Sequence, residues 1–199
     1  MEFVDLDGDN VPILFIGDQN QDDATFTGVE IAYQHFFDEL PGLLSNLGLQ
    51  ANYTYIDADT NAPLAVVDAD GNGQPDSDER IYRFGVDDFL GTSENTANIV
   101  GIYQDDQFEF RLAYNYRSDY LVSYADQITG NPIFVEGEGV LDGSAKWDIN
   151  DHLQLRFQVS NILGNETELF QQVDAAGQDF ERARFKSDRR LKFGVRVQY

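Results

Sequence analysis

The residues Arg189-Arg190-Leu191-Lys192-Phe193-Gly194-Val195-Arg196-Val197-Gln198-Tyr199 decide how the rest of the chain is read. Successive side chains of an extended strand point to opposite sides. Leu191, Phe193, Val195, Val197 and Tyr199 therefore share one face, and Arg190, Lys192, Gly194, Arg196 and Gln198 share the other. One face is apolar and the other charged. The spacing predicts a strand with one wet side that ends on an aromatic residue. A soluble sheet alternates in the same way, so the fold depends on whether the pattern recurs.

It recurs along most of the chain. Thr27, Val29, Ile31 and Tyr33 oppose Gly28, Glu30, Ala32 and Gln34, and Leu47, Leu49, Ala51, Tyr53 and Tyr55 oppose Gly48, Gln50, Asn52 and Thr54. A third strand at about 95–104 sets Ala97, Ile99, Gly101 and Tyr103 on one side, with Val100 and Ile102 weakening the alternation on the other. From Phe108 to Tyr120 the pattern is clearest: Phe108, Phe110, Leu112, Tyr114, Tyr116 and Tyr120 against Glu109, Arg111, Ala113, Asn115 and Arg117. Leu141 to Ile149 and Leu153 to Val159 give two more. The last strand is predicted to start near Ala183. This period-2 pattern predicts an all-β fold of about seven long strands.

The connections add a second signal. Asp38 to Asn46, Gln104 to Asp106 and Asn150-Asp151 are short, whereas Asp57 to Glu94, Leu121 to Gly139 and Gly164 to Arg182 are long. Strict alternation of tight turns and long loops is the plan of an antiparallel up-and-down transmembrane β-barrel, with short periplasmic turns and long external loops. Residues 1–24 are rich in Asp, Asn and Gly and read as an acidic loop with room for a short β-arm at Val11 to Ile16.

Composition narrows the function classes. Lys and Arg total 13 against 36 Asp and Glu, a net charge of −23 that argues against nucleic acid as a partner. There is no cysteine, which removes disulfides and thiol chemistry, and two histidines, His35 and His152, are too scattered for a His-based metal site. No stretch reaches the ~18 apolar residues of a membrane helix, but a membrane strand needs only ~9 to 11 residues. The opening residues lack the basic and apolar regions of a secretory signal, so the chain is expected to be a mature or truncated piece if it reaches an outer membrane.

Gly28 to Gln34, Phe36-Phe37-Asp38-Glu39-Leu40-Pro41-Gly42 and Leu47 to Tyr55 resemble the late barrel hairpins of TonB-dependent outer-membrane receptors. Ala113 to Arg117, Val159 to Glu166 and the closing Arg189 to Tyr199 are similar to that family's last strands. The likeness covers about residues 25–199. It implies a C-terminal segment of a 22-strand barrel in the Gram-negative outer membrane. It also implies TonB and a plug domain as partners through N-terminal parts outside this chain, and lipid around the barrel. Its function would be active import of a scarce nutrient, a carbohydrate or an iron chelate. By the same resemblance Tyr199 is expected to be read by the outer-membrane assembly machinery.

One loop carries a metal-binding pattern. Residues 68–79 place Asp68, Asp70, Asn72, Gln74, Asp76 and Glu79 at positions one, three, five, seven, nine and twelve of a calcium loop, with Gly73 at the turn. Calcium takes six to eight hard oxygens, which this set can supply; a solvated acidic loop would use the same residues. Asp5, Asp7 and Asp9 make half of the pattern and lack its closing Glu. No catalytic constellation emerges among the carboxylates, so no enzyme activity is expected. Glu109, Arg111, Asn115, Arg117, Lys146, Arg156, Lys192 and Arg196 are expected on a water-filled interior. Tyr53, Tyr55, Tyr103, Tyr114, Tyr116, Tyr120, Trp147 and Tyr199 are expected in aromatic girdles. The competing reading is a soluble, calcium-stabilised β-domain of a surface adhesin.

Overall fold

The computed structural model describes residues 24–60, 88–124, 126, 129–174 and 176–198, and the backbone alone of 2–4, 13–15, 66–67 and 76–80. In chain order the strands are β1 (Glu2–Val4), β2 (Ile13–Phe15), β3 (Ala24–Phe36), β4 (Leu47–Thr60), β5 (Val66–Val67), β6 (Asp76–Arg80), β7 (Asn95–Gln104) and β8 (Phe108–Arg117). They continue with β9 (Tyr120–Ser123), β10 (Ile133–Val135), β11 (Glu138–Asn150), β12 (Leu153–Ser160), β13 (Glu166–Gln172), β14 (Asp179–Lys186) and β15 (Arg190–Val197). The one helical element among the described residues is a short 3-10 turn, Gly42–Asn46, between β3 and β4. No described helix is long and apolar enough to cross a membrane.

Seven strands make one open antiparallel sheet in the order β15-β12-β11-β8-β7-β4-β3. This is the predicted up-and-down meander, and the predicted short links are its tight turns. At one of them Asp105 accepts the backbone N–H of Gln107 (2.9 Å) and of Phe108 (2.7 Å), and the Tyr103 hydroxyl donates to it at 2.9 Å. These bonds to the charged form hold its carboxyl below the usual carboxylate range. Register keeps like with like across the sheet. Tyr103 faces Phe110, Gly101 faces Leu112, Leu112 faces Gly143, and Phe157 faces Phe193. On the other face Glu109 faces Lys146, Lys146 faces Arg156, and Gln158 faces Lys192. Where β8 meets β11, the Tyr114 ring lies over Gly139, a place where any Cβ would collide with it.

In the middle strands β7 and β8 the apolar face is the more exposed one, the reverse of a soluble sheet, and in the edge strands β3 and β15 both faces are open. In β8 the apolar residues Phe110 and Leu112 are 40% and 37% exposed, while the alternating Glu109, Arg111 and Ala113 are half-buried. In β7 the two apolar residues on the polar face, Val100 and Ile102, are 7% and 5% exposed, whereas Ile99 on the apolar face is 48% exposed. Ile31, Phe157, Leu191, Phe193, Val195 and Val197 extend the exposed apolar surface to both edges of the sheet. Leaving even about a dozen such side chains in water forfeits on the order of 20 kcal/mol, more than the ~5 to 15 kcal/mol net stability of a whole domain. Such a face requires an apolar solvent.

The expected long loops are themselves partly strands, which corrects the sequence reading. β9 and β10, from the loop between β8 and β11, join β13 and β14, from the loop between β12 and β15, in a second sheet of order β14-β13-β10-β9. Here lies the best-buried cluster among the described residues: Leu121 and Pro132 are fully buried, and Ile133, Phe134 and Val135 are nearly so. Ala183 belongs to β14, and the last long strand begins at Arg190. The alternation cannot show this break, because Ala183, Phe185, Leu191 and Phe193 keep the same parity straight through it.

Candidate functional site

The polar face of the large sheet is laced by side chains from neighbouring strands. Lys146 stands 3.7 Å from Glu109 and 3.4 Å from Asp148, and Arg156 Nε donates to Gln154 Oε1 at 2.6 Å. Arg111 Nη2 donates to Gln50 Oε1 at 3.3 Å, and Asn98 Nδ2 to Asn115 Oδ1. The register places Lys192 and Arg196 on this face as well. Arg117 has a separate task at the rim. Its Nε donates to Ser93 Oγ at 2.6 Å, and its guanidinium lies 3.6 Å over the Tyr120 ring.

Above that rim, the second sheet borders an open pocket of about 480 Å³, within the range of small-ligand pockets. Its walls carry Asp119, Glu136, Glu168, Asp179 and Glu181, and its apolar lining is Tyr116, Leu169 and Phe170. Phe170 is held flat by Phe134 from the other loop, with ring centroids 5.3 Å apart and planes 9° from parallel. Arg184 is the cation that reaches these walls, 3.1 Å from Glu168 and 3.2 Å from Glu181. Even so, burial pushes the Glu168 carboxyl above the usual carboxylate range, with the neighbouring Glu136 adding to the shift. The pocket offers acceptor oxygens and an aromatic face, and disfavours added negative charge.

Sequence reasoning located the polar face and missed this pocket. Apart from Tyr116 on β8, its residues come from two segments that look like loops, and no period links Glu136 to Glu168. The aromatic reading needs one correction. Tyr53, Tyr55, Tyr114 and Tyr116 share the loop end of the apolar face, and Trp147 pairs with Phe108 near the tight turns. From Phe108 to Tyr116 the strand runs about 26 Å at ~3.3 Å per residue, close to the ~25 Å apolar band of an outer-membrane barrel. Tyr120, however, is a residue of β9 that pairs with Val135 in the second sheet. Tyr199 lies outside the described residues, as do Asp68, Asp70, Asn72 and Gln74. Asp76 and Glu79 lie in β6, of which only the backbone is described.

Residues 3–162 match the family model described as TonB dependent receptor-like, beta-barrel. No curated protein and no solved structure matches the chain. The match agrees with the sheet's exposed apolar face, its open antiparallel order and its polar inner face, and it leaves the adhesin reading without support. The family is one of transport receptors rather than enzymes, and it works with a plug domain and TonB. The chain belongs to the TonB-dependent receptor-like β-barrel family and is an outer-membrane protein of the receptor and transport class.

Proposed function

We propose that this chain is the C-terminal barrel portion of a 22-strand importer, and that the pocket above its rim is a capture subsite for a neutral carbohydrate. The single observation that carries the substrate reading is the lining: carboxylates around Phe170 and Tyr116. Carboxylate oxygens accept hydrogen bonds from sugar hydroxyls, and an aromatic face packs against the apolar face of a sugar ring. The same carboxylates repel anionic iron chelates, the other nutrient class expected from the sequence. Among the described residues the outer edges of β3 and β15 have no neighbouring strand, which supports a larger barrel, because an exposed edge is open to pairing with a further strand. Residues 1–24 then form an acidic segment ahead of the barrel portion at 25–199, Tyr199 is read during assembly, and calcium ties down the loop at 68–79.

The test is calorimetric titration of the complete receptor with neutral oligosaccharides and with ferric chelates. Phe170→Ala and Glu136→Gln should weaken oligosaccharide binding by roughly tenfold each, ~1.4 kcal/mol, the size of one aromatic packing contact and of one hydrogen bond to a carboxylate. Tight binding of an anionic chelate, insensitive to both substitutions, would overturn the carbohydrate reading.

A further inference from the structure

We infer that the two loops carrying β9–β10 and β13–β14 form a single rigid wall, pinned to the barrel rim by Asn161, and do not move as independent lids. Three sets of contacts support this.

The first set joins the loops edge to edge. β10 and β13 pair through Ile133 with Gln171, Phe134 with Phe170 and Val135 with Leu169. The ladder continues at both ends, where Glu136 N–H donates to Glu168 O at 2.8 Å and Gln172 N–H to Pro132 O at 3.2 Å. The stacked Phe134 and Phe170 rings and the buried Leu121, Ile133 and Val135 add a shared apolar core. Separating the loops would expose that core and break a backbone ladder together.

The second set bolts the side of the joint. Arg182 Nη2 stands 2.7 Å from Asp126 Oδ1, and Gln171 Nε2 donates to Thr129 Oγ1 at 2.6 Å. The returning end of the first long loop is tied in as well. Gly91 N–H donates to Leu121 O at 2.8 Å, and the Tyr124 hydroxyl to Asp88 O at 3.2 Å.

The third set fixes the base. Asn161 is the one non-glycine residue with positive φ among the described residues, at 55°, a conformation that Asn tolerates better than most residue types. It is 8% exposed. Its Nδ2 donates to Asn165 O and Ser187 O, both at 3.1 Å, which closes the two ends of the last loop on one side chain. Its Oδ1 accepts Asn165 N–H at 2.9 Å, and its own N–H donates to Asp142 Oδ1 on β11 at 2.8 Å. Asn165 Nδ2 in turn donates to Gly139 O, where the preceding loop returns to the barrel. The Asn161 side chain thus holds both ends of the last loop together at the end of β12, its backbone N–H ties that point to β11, and Asn165 carries the link on to the base of the preceding loop.

The absence of cysteine makes the test direct. In the complete receptor in nanodiscs, with any cysteine outside this chain replaced, spin labels at Val122→Cys and Lys186→Cys report the distance across the wall. Labels at Lys186→Cys and Asp106→Cys report the distance from wall to barrel. Pulsed electron spin resonance should give one narrow distribution for each pair. Asn161→Gly keeps the positive φ and deletes the amide, so it should broaden the wall-to-barrel distribution and leave the cross-wall one narrow. Asn161→Asp retains the acceptor and loses the donor, and should broaden it less. A broad or two-peaked cross-wall distribution in the parent receptor would refute the single wall. A wall-to-barrel distribution unchanged by Asn161→Gly would refute the pin.

Discussion

At Asp126 one carboxylate holds two loops. The Arg182 guanidinium beside it, helped by Thr129, lowers its pKa from the usual 3.8 to about 2. A group whose folded-state pKa is depressed adds stability above its unfolded value and loses it as pH falls through the folded one. The bolt is therefore constant at neutral pH and slackens between about pH 4 and pH 2. Glu168 works in the opposite sense: its raised pKa favours the folded wall below the ordinary value, and that contribution is lost as pH rises through the raised one. Protection from amide hydrogen exchange over 120–135 and 166–186, measured against the intrinsic rate at each pH, should fall below about pH 4, and Asp126→Asn should remove that step. At pH 7, Glu168→Gln should slow exchange in β13. A pH step that survives Asp126→Asn would assign it to another group. None of these roles was legible beforehand, because a carboxylate and a guanidinium 56 residues apart leave no periodic trace.

Strand β8 offers the sharpest test of which side meets lipid. Leu112 is on the exposed apolar face, and Ala113 on the polar one, paired with Val100 and Asp142. Leu112→Arg should cost ~2 to 4 kcal/mol near the bilayer midplane and reduce folded receptor in the outer membrane. Ala113→Arg, with the Asp142 carboxylate on the neighbouring strand, should assemble nearly as well as the parent. Equal losses at both positions would reverse or erase the facing assignment. At this scale the sequence was highly informative, since side-chain parity and burial have the same cause in a two-sided sheet. It failed where parity carries no information. Ser187, Asp188 and Arg189 interrupt the pattern without shifting it, and Val100 and Ile102 blurred the third strand because they fill space on the polar face.

Taken whole, the seven-stranded sheet has no apolar interior of its own among the described residues, so its solvent must supply one. Refolding should therefore require micelles, with β-content by circular dichroism and a discrete species by size exclusion appearing in detergent and aggregation in plain buffer. A compact monomer without detergent would contradict the outward-facing apolar surface. Calcium or a chelator should alter proteolysis of the 68–79 loop and leave the sheet intact. The family was legible from the sequence because strand length, turn length and facing repeat over many residues. The pocket above the rim was not, because most of its walls come together only once two distant loops pair.

The best-buried cluster among the described residues, around Leu121 and Phe134, belongs to the second sheet and is built from segments that the hairpin of β11 and β12 separates in the chain. Its formation is expected late, since closing distant loops early is entropically costly. Resistance of this wall to an externally added protease is thus a certificate of completed insertion: intact cells should protect it only when every long strand beneath it has reached its place.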